Sequence, residues 1–103
     1  MSQEITTEEF DDLTEEGLVL VECYRDGCLP CQKFKNSISE FEEELPNIHV
    51  LTLDIENNME IASDYNVMSV PTFLLFEDGE LVWQGTNFTN MNNIVKTIKS
   101  YME

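Results

Sequence analysis

The chain has 103 residues, 42% hydrophobic and 25% charged, which suits one domain over residues 1–103 and excludes disordered, collagen-like and repeat polymers. Five Lys and Arg against 21 Asp and Glu give a formal charge of −16, a field that repels nucleic acid and anionic membranes. It fits a soluble protein meeting cationic or neutral partners, and solubility alone or a salty interior accounts for it equally.

Residues 2–5 have room for a short edge strand. Met1-Ser2-Gln3-Glu4 carries no basic region and no apolar run behind it, so no signal peptide is expected. Thr6-Thr7-Glu8-Glu9-Phe10 supplies a cap and first-turn acids, predicting a helix to about Glu15 that ends near Gly17. Leu18–Tyr24 is a nearly continuous apolar run, the pattern of a central strand buried on both faces. Arg25-Asp26-Gly27 breaks it. From Cys28 the spacing of Phe34, Ile38, Phe41 and Leu45 predicts one helix, closed by Pro46. Ile48–Ile55 is the next strand, and strand, helix, strand predicts a parallel βαβ unit with a right-handed crossover. Residues 57–65 form a short helix. Val70-Pro71-Thr72 leads into Phe73–Phe76, Asp78-Gly79 turns the chain, and Leu81-Val82-Trp83 completes a hairpin. Thr89 caps a last helix with Met91, Ile94, Val95, Ile98 and Met102 on one face. The sum is an α/β fold, a mixed central sheet with helices on both faces. Leu18–Val21 and Phe73–Phe76 are far shorter than the roughly 20 apolar residues of a membrane helix.

Three cysteines and one histidine are present. Two cysteines stand as Cys28-Leu29-Pro30-Cys31. A zinc site needs a second pair at matching spacing, and Cys23 and His49 do not supply it, so no metal is expected. With Cys28 as helix cap, Leu29 and Pro30 fall in the first turn, where proline's missing N–H has no helical partner to lose. Cys28 and Cys31 then share a helix face and close a disulfide after modest local adjustment. Free N–H groups at the helix start favour a thiolate. This makes Cys28 the attacking nucleophile and Cys31 the resolving thiol that attacks the mixed disulfide. A pair of buried structural cysteines is the plainer reading, and the strand-to-helix junction favours the redox one.

Glu22 interrupts the apolar run of the central strand. An unpaired buried carboxyl is expected to hold its proton unusually well. Lying near Cys31, it is a candidate proton acceptor and donor for that thiol. A strand-end glutamate reaching water is the alternative. Cys23, on the opposite strand face with Val19 and Val21, is expected in the core. His49 is expected at the surface and Trp83 in packing. Phe10, Phe34, Phe41 and Phe73 are expected in the core, and Met59, Met68 and Met91 suggest no cofactor box.

Over nearly its whole length the sequence resembles the thioredoxin family. The resemblance rests on Val21-Glu22-Cys23-Tyr24, Cys28-Leu29-Pro30-Cys31, Leu53-Asp54-Ile55, Tyr65-Asn66-Val67, Val70-Pro71-Thr72-Phe73, Phe76-Glu77-Asp78-Gly79 and Gly85. It implies the thioredoxin fold and a cis bond before Pro71, with that loop facing the cysteines. It also implies that the backbone around Val70 pairs with an extended substrate segment, Leu29, Pro30, Pro71 and Gly85 completing the surface. The implied activity is reduction of protein disulfides with no cofactor beyond the Cys28–Cys31 disulfide. The implied setting is a cytoplasmic monomer re-reduced by a thioredoxin-reductase-type electron donor. A non-enzymatic binding module whose disulfide is a redox latch is the alternative. The family's usual tryptophan before the first cysteine is Gly27 here, and its usual glycine between the cysteines is Leu29. The basic residue that commonly follows the pair is Gln32. The Ile48–Ile55 strand lacks the lysine the family often pairs with the buried acid. These departures bear on substrate range and redox potential.

Overall fold

The computed structural model describes residues 2–86 and 91–102. In chain order the elements are β1 (Gln3–Glu4), α1 (Thr7–Thr14), β2 (Leu18–Tyr24), α2 (Leu29–Asn36), α3 (Ile38–Glu44), β3 (Ile48–Asp54), α4 (Met59–Asp64), β4 (Thr72–Glu77), β5 (Glu80–Thr86) and α5 (Met91–Met102). The five strands form one sheet in the order β1-β3-β2-β4-β5. β2 is central, parallel to β3 and antiparallel to β4, and β1 runs parallel to β3 at the edge. The βαβ pairing, the edge strand and the hairpin all stand where the residue pattern puts them.

Period-two alternation along β2 sorts its side chains onto two cores. Leu20 faces one side with Phe34, Ile38, Phe41, Phe73, Leu75, Ile94 and Ile98, so α2, α3 and α5 cover that face. Val19, Val21 and Cys23 face the other with Phe10, Ile61, Leu74 and Phe76, beneath α1 and α4. Edge-on rings strengthen both layers: Phe34 meets Phe73 at 4.9 Å and Phe10 meets Phe76 at 5.5 Å between centroids. The Phe34–Phe73 contact seats the cysteine-bearing helix on the sheet. Cys23 is buried and free, His49 is exposed and Trp83 is partly buried against the core.

Local chemistry sets the element ends. Thr6 N–H donates to Glu9 Oε1 at 3.0 Å, the reciprocal half of a capping box for α1. Asp78 and Gly79 both have positive φ, 50° and 86°, the conformation a two-residue hairpin turn requires. The expected single helix from Cys28 to Leu45 is instead two. Ser37 (φ −104°, ψ 4°) separates them, its N–H donating to the Phe34 carbonyl at 2.9 Å. Asn36 and Ser37 are poor helix-interior residues because their side chains compete for backbone groups. The apolar spacing survives the break because both halves face the same core. The helix expected over residues 57–65 covers only Met59–Asp64, with Asn66 turning out at φ 55°. The Thr89 cap and the side chains of Met91 and Met102 lie outside the described residues.

Asn58, 8% exposed, ties three segments together. Its Oδ1 accepts from Thr7 N–H at 2.8 Å and the Thr7 hydroxyl at 3.0 Å, and its Nδ2 donates to the Asp54 carbonyl at 2.9 Å. Asn58→Ala strands a helix-start N–H and a strand-end carbonyl. The expected cost is about 2–3 kcal/mol, read as a lower urea midpoint with an unchanged slope. A loss under about 0.5 kcal/mol would show that water replaces the amide.

Candidate active site

Cys28 stands at the N-cap of α2 in extended backbone (φ −85°, ψ 104°), with Pro30 in the first turn. The chain enters the cap through Gly27 at φ 83°, a left-handed conformation in which a side chain is strained even though the space beside it is open. The glycine that replaces the family's tryptophan is therefore suited to this backbone. Cys28 and Cys31 are joined in a disulfide with Cα atoms 5.3 Å apart. The Cys31 N–H also donates to Cys28 Sγ at 3.2 Å. On reduction, this N–H and the helix terminus favour negative charge on Cys28. Access divides the pair: Cys28 is half-buried, whereas Cys31 is 2% exposed. Leu29 is 74% exposed and Pro30 is exposed, giving the outer rim of the disulfide an apolar surface.

Glu22 is fully buried, on the sheet face that α2 covers, and neither carboxyl oxygen has a hydrogen-bond partner. Burial pushes its carboxyl from an ordinary 4.5 up to about 8, Lys35 pulling it down and Glu4 pushing it further up. A group titrating there accepts and returns a proton close to neutral pH. The alternative of a strand-end glutamate in water does not hold. Cys23 is pushed up to about 12, first by burial and then by Glu22, so it stays a thiol.

The Val70–Pro71 bond is cis. Thr72, the next residue, pairs with Cys23, so the proline loop enters the sheet at the β2 end from which the chain runs on to Cys28. Side chains clamp this loop: the Thr72 hydroxyl donates to Ser69 O at 2.7 Å and the Thr86 hydroxyl to Pro71 O at 2.9 Å. A cleft lined by Met68, Ser69, Thr72, Gln84, Gly85 and Thr86 runs beside it. Gly85 and the proline loop therefore share one surface, with Val70 half-buried and Pro71 buried. Sequence reasoning missed the Thr86 hydroxyl and the Lys35 and Glu4 charges. Each acts on a residue far away in the chain. Among the described residues no group of three or more His, Cys, Asp or Glu is arranged to hold a metal, and no helix is long and apolar enough to cross a membrane.

The thioredoxin family model matches residues 1–100. The thioredoxin of Chlamydia trachomatis is 31% identical over 101 residues, covering 98% of this chain and 99% of that one. The thioredoxin of Listeria monocytogenes is 31% identical over 103 residues, covering 99% and 100%. A mutant thioredoxin from Halobacterium salinarum superposes with a TM-score of 0.89 at 32% identity, over 99% of this chain and 91% of that one. Its fold and the cysteine pair at the mouth of α2 agree with those matches: the chain belongs to the thioredoxin family and is a protein thiol-disulfide oxidoreductase with the redox-active disulfide as its working group.

Proposed function

We propose that the protein reduces disulfides of other proteins in the cytoplasm and is recharged by a thioredoxin-reductase-type dithiol donor, working as a monomer. The observation that carries this reading is the Cys28 sulfur at the helix start, bonded to Cys31 and within reach of its N–H. In the proposed cycle the Cys28 thiolate attacks one sulfur of a substrate disulfide and expels the other as a thiolate. Glu22, ionised, takes the Cys31 proton. The Cys31 thiolate then attacks Cys28 Sγ, the bond from Cys28 to the substrate breaks, and the second substrate sulfur leaves as a thiolate. Two electrons have moved to the substrate, and the Cys28–Cys31 disulfide remains for the donor to reduce. An extended substrate segment pairs with the Val70–Pro71 backbone and lies against Leu29, Pro30 and Gly85.

The charge of −16 is read as steering. The helix terminus acts within one turn of Cys28, whereas the surface field reaches about 8–10 Å at moderate salt. The first therefore governs the thiol and the second governs which partners arrive. A basic disulfide peptide should be reduced on the order of tenfold faster than a matched acidic one at low ionic strength, the gap closing with salt. Stopped-flow thiol release measures this, and equal rates at low salt would assign the charge to solubility.

A further inference from the structure

Glu4, Thr52 and Glu22 are register partners across β1, β3 and β2. Their side chains leave one sheet face in a row, about 4.8 Å apart per strand. The Thr52 hydroxyl donates to Glu4 Oε1 at 3.0 Å, and the Tyr24 hydroxyl donates to the same oxygen at 2.7 Å. Tyr24 stands two residues beyond Glu22, on the same face. Lys35 Nζ lies 3.7 Å from the centre of the Tyr24 ring, a close cation–π contact. Lys35 is also one helical turn past Cys31, so the two leave the same side of α2. The ring is held at its hydroxyl by Glu4 and on its face by Lys35, which keeps the ammonium on the sheet face from which the Glu22 carboxyl, without a hydrogen-bond partner, also projects.

We propose that Lys35 is a positioning residue of the resolving step: parked on Tyr24, its ammonium stabilises ionised Glu22 and sets how much of that carboxyl is ready to receive the Cys31 proton. Glu4 opposes it from across Thr52. The inference rests on Glu22 being the proton acceptor. Because Lys35 makes no hydrogen bond to Glu22, it supports the charge without locking it into an ion pair too stable to act as a base. The other elements around Glu22 add little. β3 presents Asp54 one alternation beyond Thr52, β4 presents Phe73 and β5 presents Gly85. On β2 itself, Tyr24 has its ionisation suppressed by burial and by Glu4, and Cys23 lies on the opposite face. Burial raises the Glu22 carboxyl most, and Lys35 and Glu4 act on it in opposite directions.

The test is a carbon-detected titration of the Glu22 carboxyl in the full chain, alongside the pH profile of mixed-disulfide resolution. Lys35→Met should move the Glu22 midpoint up by roughly 0.5–1 pH unit and Glu4→Gln should move it down. Lys35→Arg should restore it. The resolution profile should move with the midpoint, and Lys35→Met should have no effect on that profile in a Glu22→Gln background. A Glu22 midpoint indifferent to Lys35→Met overturns the proposal while leaving Glu22 as the acceptor. A midpoint that moves while Glu22→Gln leaves resolution unchanged overturns the acceptor reading, and the role of Lys35 with it.

Discussion

Cys28→Ser should abolish turnover, with a loss of at least about a thousandfold, because no thiolate then opens the exchange. Cys31→Ser should behave differently. Attack by Cys28 remains, the resolving thiol is gone, and mixed disulfides accumulate that are visible by mass spectrometry. The asymmetry follows from the helix start. Cys28 is the accessible sulfur and receives the Cys31 N–H at 3.2 Å, while Cys31 is 2% exposed. Timed alkylation of the reduced protein checks the order, with Cys28 labelled first. Cys23 should label last, its thiol pushed up to about 12 within the core. Faster labelling of Cys31 or Cys23 than of Cys28 would reverse the assignment.

Glu22→Gln should slow resolution roughly a hundredfold near pH 8 and yet stabilise the fold there. In the unfolded chain Glu22 ionises at about 4.5, whereas in the folded chain it does so at about 8. Below 4.5 both states hold the proton and the group contributes no pH dependence. Between 4.5 and 8 the folded state binds more protons than the unfolded state, so native stability falls as pH rises, by up to about 1.4 kcal/mol per pH unit. Above 8 both are ionised and the full penalty, about 5 kcal/mol, persists. Glutamine keeps the shape and removes the titration. The variant and the parent should therefore be similar near pH 4.5, the gap widening in the variant's favour towards pH 8.5. The other 20 carboxylates also respond to pH, but they are common to both proteins and cancel in the difference. Urea midpoints at the two pH values decide it, and a gap independent of pH would mean that the Glu22 carboxyl titrates in the folded protein as it does in the unfolded chain.

Wherever neighbours in the chain carry the information, the residues alone were enough. The run Leu18–Tyr24 announced a buried central strand, Asp78-Gly79 announced the hairpin turn, and Cys28-Leu29-Pro30-Cys31 at a strand-to-helix junction announced the redox centre. Glu22 was legible as an anomaly because a carboxyl amid apolar residues is costly wherever the chain folds. The break at Ser37 had only the weak local signal of Asn36-Ser37, which the helical spacing of the flanking apolar residues outweighs, and packing on the common core shows that two short helices serve as well as one.

What residue order determined by itself was the set of elements, the cysteine chemistry and the oddity of Glu22, all governed by periodicity, capping and local burial. What the tertiary structure alone decided was the company Glu22 keeps. Glu4 and Lys35 are 18 and 13 positions from it in the chain, and Thr52 is 30 away. They meet because the sheet order sets β1, β3 and β2 side by side in register while Phe34 seats α2 on the same face. Strand order and register are settled by burial across the whole sheet, so no local pattern reveals which charges will surround Glu22, the one buried carboxyl among the described residues without a hydrogen-bond partner.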